Sequence, residues 1–426
     1  MRMESVQLTE RDRRRPKGLR SWPTLLALLA GLLATAGAEA TPAYGRRYSV
    51  SCNTCHAPLP PRLNNFGMVF RRLGFRMPDA DDAGKLIIKT IPAHGIGDAA
   101  SISANAAFHH DQKPEEGNSS TFKLGEVELV AGTAIGNHVS TQAMFVPWND
   151  DGEVELEDAE VQFNAGSPRS QFTARAGLMQ TFFWQKANHG ALTQSVPLLF
   201  DETAVQAVGD FAGFGLGRKL IGAEAGYLFT KLNDGRLTST MMSVALYNGV
   251  NAAGEHALRN TTGGADVLVQ AVQLFGQRNT LGAFYYHGRS ALEPPPPVEG
   301  EPQPVGEPRV RFDRYGVMGN YLLFPRVDVV AGAALGKDQT EPQGSEVKTG
   351  GMYAELSVEL RKRWIGVYRF DLVDPNRDQS GDTVRDHVLA TTFQADDHLY
   401  LTAEYRWLRR PEAKDNSFVV NARLIY

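Results

Sequence analysis

The sequence predicts an all-β transmembrane barrel of about sixteen antiparallel strands, preceded by a small N-terminal α-helical segment. Three observations predict it. Apolar residues recur with a period of two over runs of about ten residues. Tight turns alternate with long polar connections as far as the C-terminus. A helical apolar pattern occurs once, ahead of the first alternating run, next to a Cys-x-x-Cys-His motif at Cys52–His56.

The chain opens on a segment that is not part of the fold. Arg11 to Arg20 reads "RDRRRPKGLR", and the apolar run "TLLALLAGLLATAG" follows from Thr24 to Gly37. That run is too short to span a bilayer as a helix. The small residues of "AEA", Ala38 to Ala40, complete the pattern of a secretory signal peptide over residues 1–40. The remainder of the chain is therefore expected outside the cytoplasm.

Both cysteines of the chain lie in "SCNTCHAP", Ser51 to Pro58. A disulfide between residues so close would staple little. A zinc site needs about four ligands, and no second cysteine pair exists. A thioredoxin-type redox pair belongs beside a βαβ unit, which the pattern does not offer. The remaining reading is attachment of one covalent c-type haem. Cys52 and Cys55 would add to the vinyl groups, and His56 would ligate the iron. Attachment of this kind takes place outside the bacterial cytoplasm, in agreement with the signal peptide.

Residues 41–97 are expected to hold this cofactor. Leu59, Leu63, Phe66, Phe70 and Leu73 follow helical spacing, with Gly74 as the stop. The segment is too short to build a core alone, and a haem would supply the missing apolar mass. Arg71, Arg72 or Arg76 would lie near the propionates. The candidates for the sixth iron ligand are His94, then Met77, then Met68. A thioether there would raise the potential relative to two imidazoles. With no Gly/Ser linker before the first strand near Ala99, the segment is expected inside or against one mouth of the barrel.

Residues 98–426 carry the barrel pattern. Ala354, Leu356, Val358 and Leu360 alternate with Tyr353, Glu355, Ser357 and Glu359, and Leu399 to Trp407 repeats the scheme. Soluble strands are mostly about 5–6 residues long, whereas membrane strands need about 9–11. "IGN", "GSPR", "LNDGR", "GQRN", "LFPR", "LRKRW" and "QADDH" read as tight turns. Long polar stretches such as "HHDQKPEEGNSS", "DPNRDQSGD" and the proline-rich run after Glu293 alternate with them. Parity holds if Phe182 to Leu216 is one long loop without a spanning strand. The final "SFVVNARLIY" is a further alternating strand that ends on an aromatic residue. His109, His110, His189, His256, His287 and His387 fall in or beside long connections, and His138 and His398 at turns, as solvated residues. "DPNRDQSGD" has Gln379 where a calcium loop needs glycine. The formal net charge of −4 argues against nucleic acid as a partner.

"TPAYGRRYSVSCNTCHAPLPPRLNNFGMVFRRLGF" resembles the N-terminus of the outer-membrane cytochrome–porin fusions, a family that includes ferrous-iron-oxidising cytochromes. The shared elements are Thr41 to Tyr44, Cys52 to His56, Pro58 and Pro60, Phe66-Gly67, and Phe70 to Phe75. Met68 departs from the basic residue expected after Phe-Gly. The resemblance implies a monohaem plug in an outer-membrane barrel. It would oxidise an extracellular donor such as Fe(II) and pass electrons to a periplasmic carrier. Two alternatives stay open: a solute-selective porin with a structural or regulatory haem plug, and outward discharge of electrons.

The parity of the turns assigns the proline-rich run to the extracellular side. An epitope inserted after Val298 is expected to be labelled on intact cells; labelling only after permeabilisation would reverse the topology.

Overall fold

In the computed structural model the described residues are 43–113, 117–148, 154–181, 192–201, 214, 216–233, 236–249, 264–291, 309–341, 346–411 and 413–426. The signal-peptide reading of residues 1–40 and the proline-rich run lie outside them, as do His189 and His256.

Two short helices and a hairpin come first: α1 (Ala43–Tyr48), α2 (Asn65–Arg72), β1 (Met77–Ala80) and β2 (Leu86–Lys89). A four-residue helix, α3 (Ile96–Ala99), leads into the barrel. The barrel strands are β3 (Ala100–Lys113), β4 (Gly117–Ile135), β5 (Val139–Trp148), β6 (Glu155–Ser167), β7 (Ser170–Gln180), β8 (Lys219–Asn233), β9 (Arg236–Tyr247) and β10 (Asp266–Phe275). They continue as β11 (Asn279–Ala291), β12 (Arg309–Phe324), β13 (Val327–Glu341), β14 (Glu346–Arg361), β15 (Trp364–Asp374), β16 (Val384–Gln394), β17 (Leu399–Arg409) and β18 (Lys414–Ile425). Each pairs antiparallel with its sequence neighbour, and β18 closes on β3, giving sixteen strands among the described residues. At the seam the Tyr426 amide donates to the Ile102 carbonyl at 2.7 Å, and the Ile102 amide returns the bond at 2.8 Å. Closure leaves no edge strand, which is what a sheet in lipid requires.

The two-residue period divides the wall into two faces. On β6, Glu160, Gln162 and Asn164 are buried inward, while Val161 and Phe163 are exposed outward. On β9, Ser239, Met241, Ser243 and Ala245 turn inward, and Met242, Val244 and Leu246 outward. Such an apolar outer band over a polar lumen is the pattern of a lipid-facing barrel. Short turns lie at one end and the longer connections at the other, where β17 and β18 are nevertheless joined closely, the Arg410 amide donating to the Ala413 carbonyl at 2.8 Å. Several expected loops differ: "HHDQKPEEGNSS" is mostly paired strand, with His109 opposite Thr121 and Lys113 opposite Gly117. "LRRPEAKDNS" and "GKDQTEPQGS", also expected as long loops, run largely as strand, with Arg409 opposite Lys414 and Gln339 opposite Glu346. Polar side chains do not interrupt a backbone ladder, so pairing continues past the apolar band.

The lumen is filled by two insertions. The first, residues 43–99, sits at the short-turn end. Asn65 donates from its amide to the Gln277 carbonyl (2.8 Å) and from its side chain to those of Gly276 and Asn279 (3.0 and 2.9 Å). The Arg76 guanidinium bonds the Val139 carbonyl at 2.8 Å. The second insertion lies within the long connection between β7 and β8. The Glu404 carboxylate accepts from the amides of Gln194 and Ser195 (2.5 and 3.0 Å). Leu198, Leu199, Phe200, Phe214 and Leu216 join the main apolar cluster of the lumen. Among the described residues of this connection no strand occurs, as the parity argument requires.

Helix α2 is shorter than its apolar spacing predicts. Pro58, Pro60 and Pro61 remove backbone donors before it. Asn64 then caps it, accepting from the Gly67 amide at 2.9 Å. Leu59 and Leu63 therefore lie in the preceding loop. Gly74 ends the turn after it at φ +67, where a Cβ would come within 2.4 Å of Ser140 Oγ.

Charge pairing docks the first insertion. Arg62 pairs with Glu355 and Arg72 with Glu224, both couples being buried. On the wall, Arg175 bridges Glu160 (3.0 Å) and Glu224 (2.9 Å), and Arg71 approaches Glu160 at 3.8 Å. Replacing Arg62 by Met leaves the Glu355 carboxylate buried without this cation, and is expected to weaken docking by about 3–5 kcal/mol. Limited proteolysis of the purified barrel reads this as faster cleavage within residues 43–99, and an Arg62→Met, Glu355→Leu double variant recovers much of the protection.

Candidate functional site

The sequence motif folds as one tight turn. Cys52–Thr54 forms a single 3₁₀ turn, with the Cys55 and His56 amides both donating to the Cys52 carbonyl (3.1 and 2.9 Å). Spacing and turn together bring two free thiols and an imidazole to one side of the loop. The loop lies directly on α2. The Asn64 amide donates to the Cys55 carbonyl at 2.8 Å, and a Cβ at Gly67 would sit 2.3 Å from that oxygen. Only glycine allows this approach, which accounts for Phe66-Gly67 in the motif.

The imidazole is oriented by backbone. His56 Nδ1 lies 3.2 Å from the carbonyls of both Pro61 and Arg62. Two acceptors assign the proton to Nδ1 and leave the Nε2 lone pair unused, the arrangement found at metal-ligating histidines. Burial lowers the His56 pKa and so favours the neutral ring. Burial also raises the Cys52 thiol and pushes the Cys55 thiol up to about 12.

These three side chains line a cavity with about 1370 Å³ of empty space, part of it open to solvent. Its inner wall is aromatic: Tyr44 stacks on Phe75 (4.7 Å), and Tyr48 meets Phe70 edge-on (5.5 Å). The barrel supplies the opposite wall through Val130, Met144, Tyr400 and Ile425, with Arg423 and Glu128 at the polar side. Arg423 Nη2 donates to Glu128 at 3.0 Å. The cavity is thus shared between the first insertion and five strands, β3, β4, β5, β17 and β18.

The expected iron ligands fall in different places. Cys52, Cys55 and His56 line the cavity, and so does Met77. Met68 packs in the lumen cluster, away from it. His94 is exposed, its amide donating to Asp98 at 3.2 Å. Sequence reasoning missed Met144 on β5, the second thioether in the lining, because a methionine in a strand reads as packing until register is known. Of the three arginines near the motif only Arg71 reaches the lining. Arg72 is committed to Glu224, and Arg76 to backbone carbonyls.

Two further cavities adjoin this one. The first shares Pro60, Pro61, Glu128, Tyr400 and Arg423, extends to the second insertion at Thr193 and Gln194, and is lined by Glu126 and Glu157. The other reaches from His56 and Pro58 to the short turns at Arg278, Lys362 and Arg363. The motif side chains suit a c-type haem: paired thiols, an imidazole with Nδ1 held by carbonyls, and an aromatic wall. The guanidinium groups of the lining are already turned to carboxylates, Arg423 to Glu128 and Arg71 to Glu160.

No protein-family model matches the sequence, and no curated protein matches it. Solved structures match the barrel. An anion-selective porin from Comamonas acidovorans aligns at TM-score 0.53 and 11% identity, over 77% of this chain and 98% of the porin. A loop-deletion mutant of OmpT, an outer-membrane protein of Vibrio cholerae, gives 0.52 and 10%, over 77% and 99%. The outer-membrane channel DcaP of Acinetobacter baumannii gives 0.51 and 9%, over 82% and 99%. At these identities the likeness concerns the fold.

The raised thiol pKa makes thiolate scarce near neutral pH. In haem-free, folded Cys52→Ser protein, alkylation of Cys55 by iodoacetamide at pH 8 is expected to be at least about tenfold slower than in the unfolded chain. The rate should keep rising with pH well beyond the range where the unfolded thiol levels off; equal rates would contradict the burial.

Proposed function

We propose that the protein is an outer-membrane electron-transfer protein carrying one covalent haem c, which oxidises an extracellular donor such as Fe(II) and delivers electrons to a periplasmic carrier. The observation that carries this reading is the cavity lined by Cys52, Cys55 and His56, enclosed between the first insertion and the barrel wall. The resemblance of residues 41–75 to the cytochrome–porin fusions supports it, as does the outer-membrane setting of the matching folds.

In this reading Cys52 and Cys55 would hold the group through thioether bonds, and His56, oriented by the carbonyls at Nδ1, would offer Nε2 to the iron. A haem bound there supplies one-electron chemistry. Met77 and Met144 are the thioethers of the lining available to the sixth position. Tyr44, Tyr48, Phe70 and Phe75 exclude water from one wall, and Arg71 and Arg423, at the lining, are turned to Glu160 and Glu128. The cavity beside the site is lined by Glu126, Glu128 and Glu157, with Glu128 held by Arg423 (3.0 Å) and Glu157 by Lys219 (2.5 Å). The same path serves outward discharge, since the residues impose no direction.

A second reading, a solute porin with the haem segment as a structural or regulatory plug, is favoured by the fold shared with an anion-selective porin. The insertions that fill the lumen weigh against it.

Purified wild-type protein is expected to give a haem-stained band on a denaturing gel, and Cys52→Ala or Cys55→Ala to lose normal attachment; a wild-type band without stain defeats the reading. Anaerobic mixing with Fe(II) should reduce the haem bands. Large, steady currents through haem-loaded protein in planar bilayers would favour the porin.

A further inference from the structure

The short-turn end of the barrel carries an asymmetric charge. Four adjacent turns, between β10 and β11, β12 and β13, β14 and β15, and β16 and β17, run together: the Glu359 amide bonds the Arg326 carbonyl and the Gln394 amide the Arg363 carbonyl, both at 2.9 Å. They present Arg326, Arg361, Lys362 and Arg363 as exposed cations, with Arg278 beside them, against the exposed carboxylates Asp396 and Asp397. Asp397 is paired with Arg363 at 3.0 Å and Asp328 with Arg278 at 2.9 Å. Arg326, Arg361 and Lys362 have no carboxylate within ion-pair distance among the described residues.

These cations surround a mouth. Arg278, Lys362 and Arg363 line the same cavity as His56, Ala57 and Pro58, with about 1610 Å³ of empty space that includes open solvent. Its acidic lining residues are Glu359 and Asp397, the latter already paired. This opening onto the His56 loop therefore has three basic side chains against two acidic ones in its lining. Charge placed around a lumen mouth faces water and a soluble partner, whereas lipid would be met by the outward girdle of the wall. A field of this sign steers a negative partner and disfavours a positive one.

We infer that the short-turn rim formed by Arg278, Arg326, Arg361 and Lys362 is the docking face for a soluble electron carrier with an acidic contact surface. The inference rests on the electron-transfer reading and deepens it by specifying the partner's charge. Complementary rim charges mainly accelerate encounter and orient the partner, so the contact is salt-sensitive and short-lived, as repeated turnover needs.

The test uses full-length protein in detergent, with plastocyanin as the acidic probe and a basic mitochondrial cytochrome c as its counterpart. Plastocyanin is expected to bind the wild type at low salt and to lose affinity as salt rises. An Arg326→Glu, Lys362→Glu double variant should weaken it by about tenfold or more and should bind the basic cytochrome better than the wild type does. An Arg169→Glu variant, on a distant short turn, should leave the affinity nearly unchanged. Equal plastocyanin affinity in wild type and double variant overturns the inference, and so does wild-type preference for the basic probe. Loss of binding to phosphatidylglycerol vesicles without change toward plastocyanin assigns the rim to lipid and also overturns it. Haem staining of the same preparations separates the two claims: unstained wild type defeats the electron-transfer reading, whereas stained protein indifferent to the charge reversal defeats only the docking face.

Discussion

Everything inside this barrel depends on pairing buried charge. A polar lumen closed to bulk water is a costly place for a guanidinium unless a carboxylate meets it. The first insertion brings Arg62, Arg71 and Arg72, and the wall answers with Glu355, Glu160 and Glu224. Arg175 stands between the two wall glutamates and binds both. Cations of the insertion and anions of the wall thus interleave into one network over β6, β7 and β8, and the Arg62–Glu355 pair on β14 makes a separate anchor. Because each pair is buried, rotating the insertion by one strand would leave several charges unmatched at once. The network fixes orientation as well as attachment.

That orientation turns the Cys52–His56 loop toward β17, β18, β3, β4 and β5, where the cavity opens. The apolar cluster on the other side, built from Leu198, Leu199, Phe200 and the inward residues of β8 to β13, fills the rest of the lumen. The two insertions divide the work. One presents the motif, and the other reduces the free space above it while leaving a carboxylate-lined passage alongside.

Different parts of this arrangement were legible in the sequence to different degrees. The wall was readable because a two-residue period and turn parity are local signals, and both are repeated along the chain. The motif was readable because Cys52, Cys55 and His56 are contiguous and the turn that gathers them needs no distant partner. The rest of the site was not. Met144, Tyr400 and Arg423 reach the cavity through strand register across a closed sheet, and nothing in their own neighbourhoods marks them. His94, placed first among the expected sixth ligands, lies exposed near α3, while Met77, placed second, lines the cavity. The predicted start of α2 at Leu59 yielded to local chemistry, since three prolines and the Asn64 cap outweigh apolar spacing.

The seam between β18 and β3 has a consequence for the order in which the molecule is made. Ser101 on the first barrel strand and Arg423 and Ile425 on the last share the lining of one cavity, although almost the whole chain separates them. The cavity acquires its full boundary only when the last strand zips to the first, so the C-terminal ten residues act as the final stave. A compartment that most of the chain helps to wall is thus completed by the reciprocal hydrogen bonds of Ile102 and Tyr426, close to its two ends.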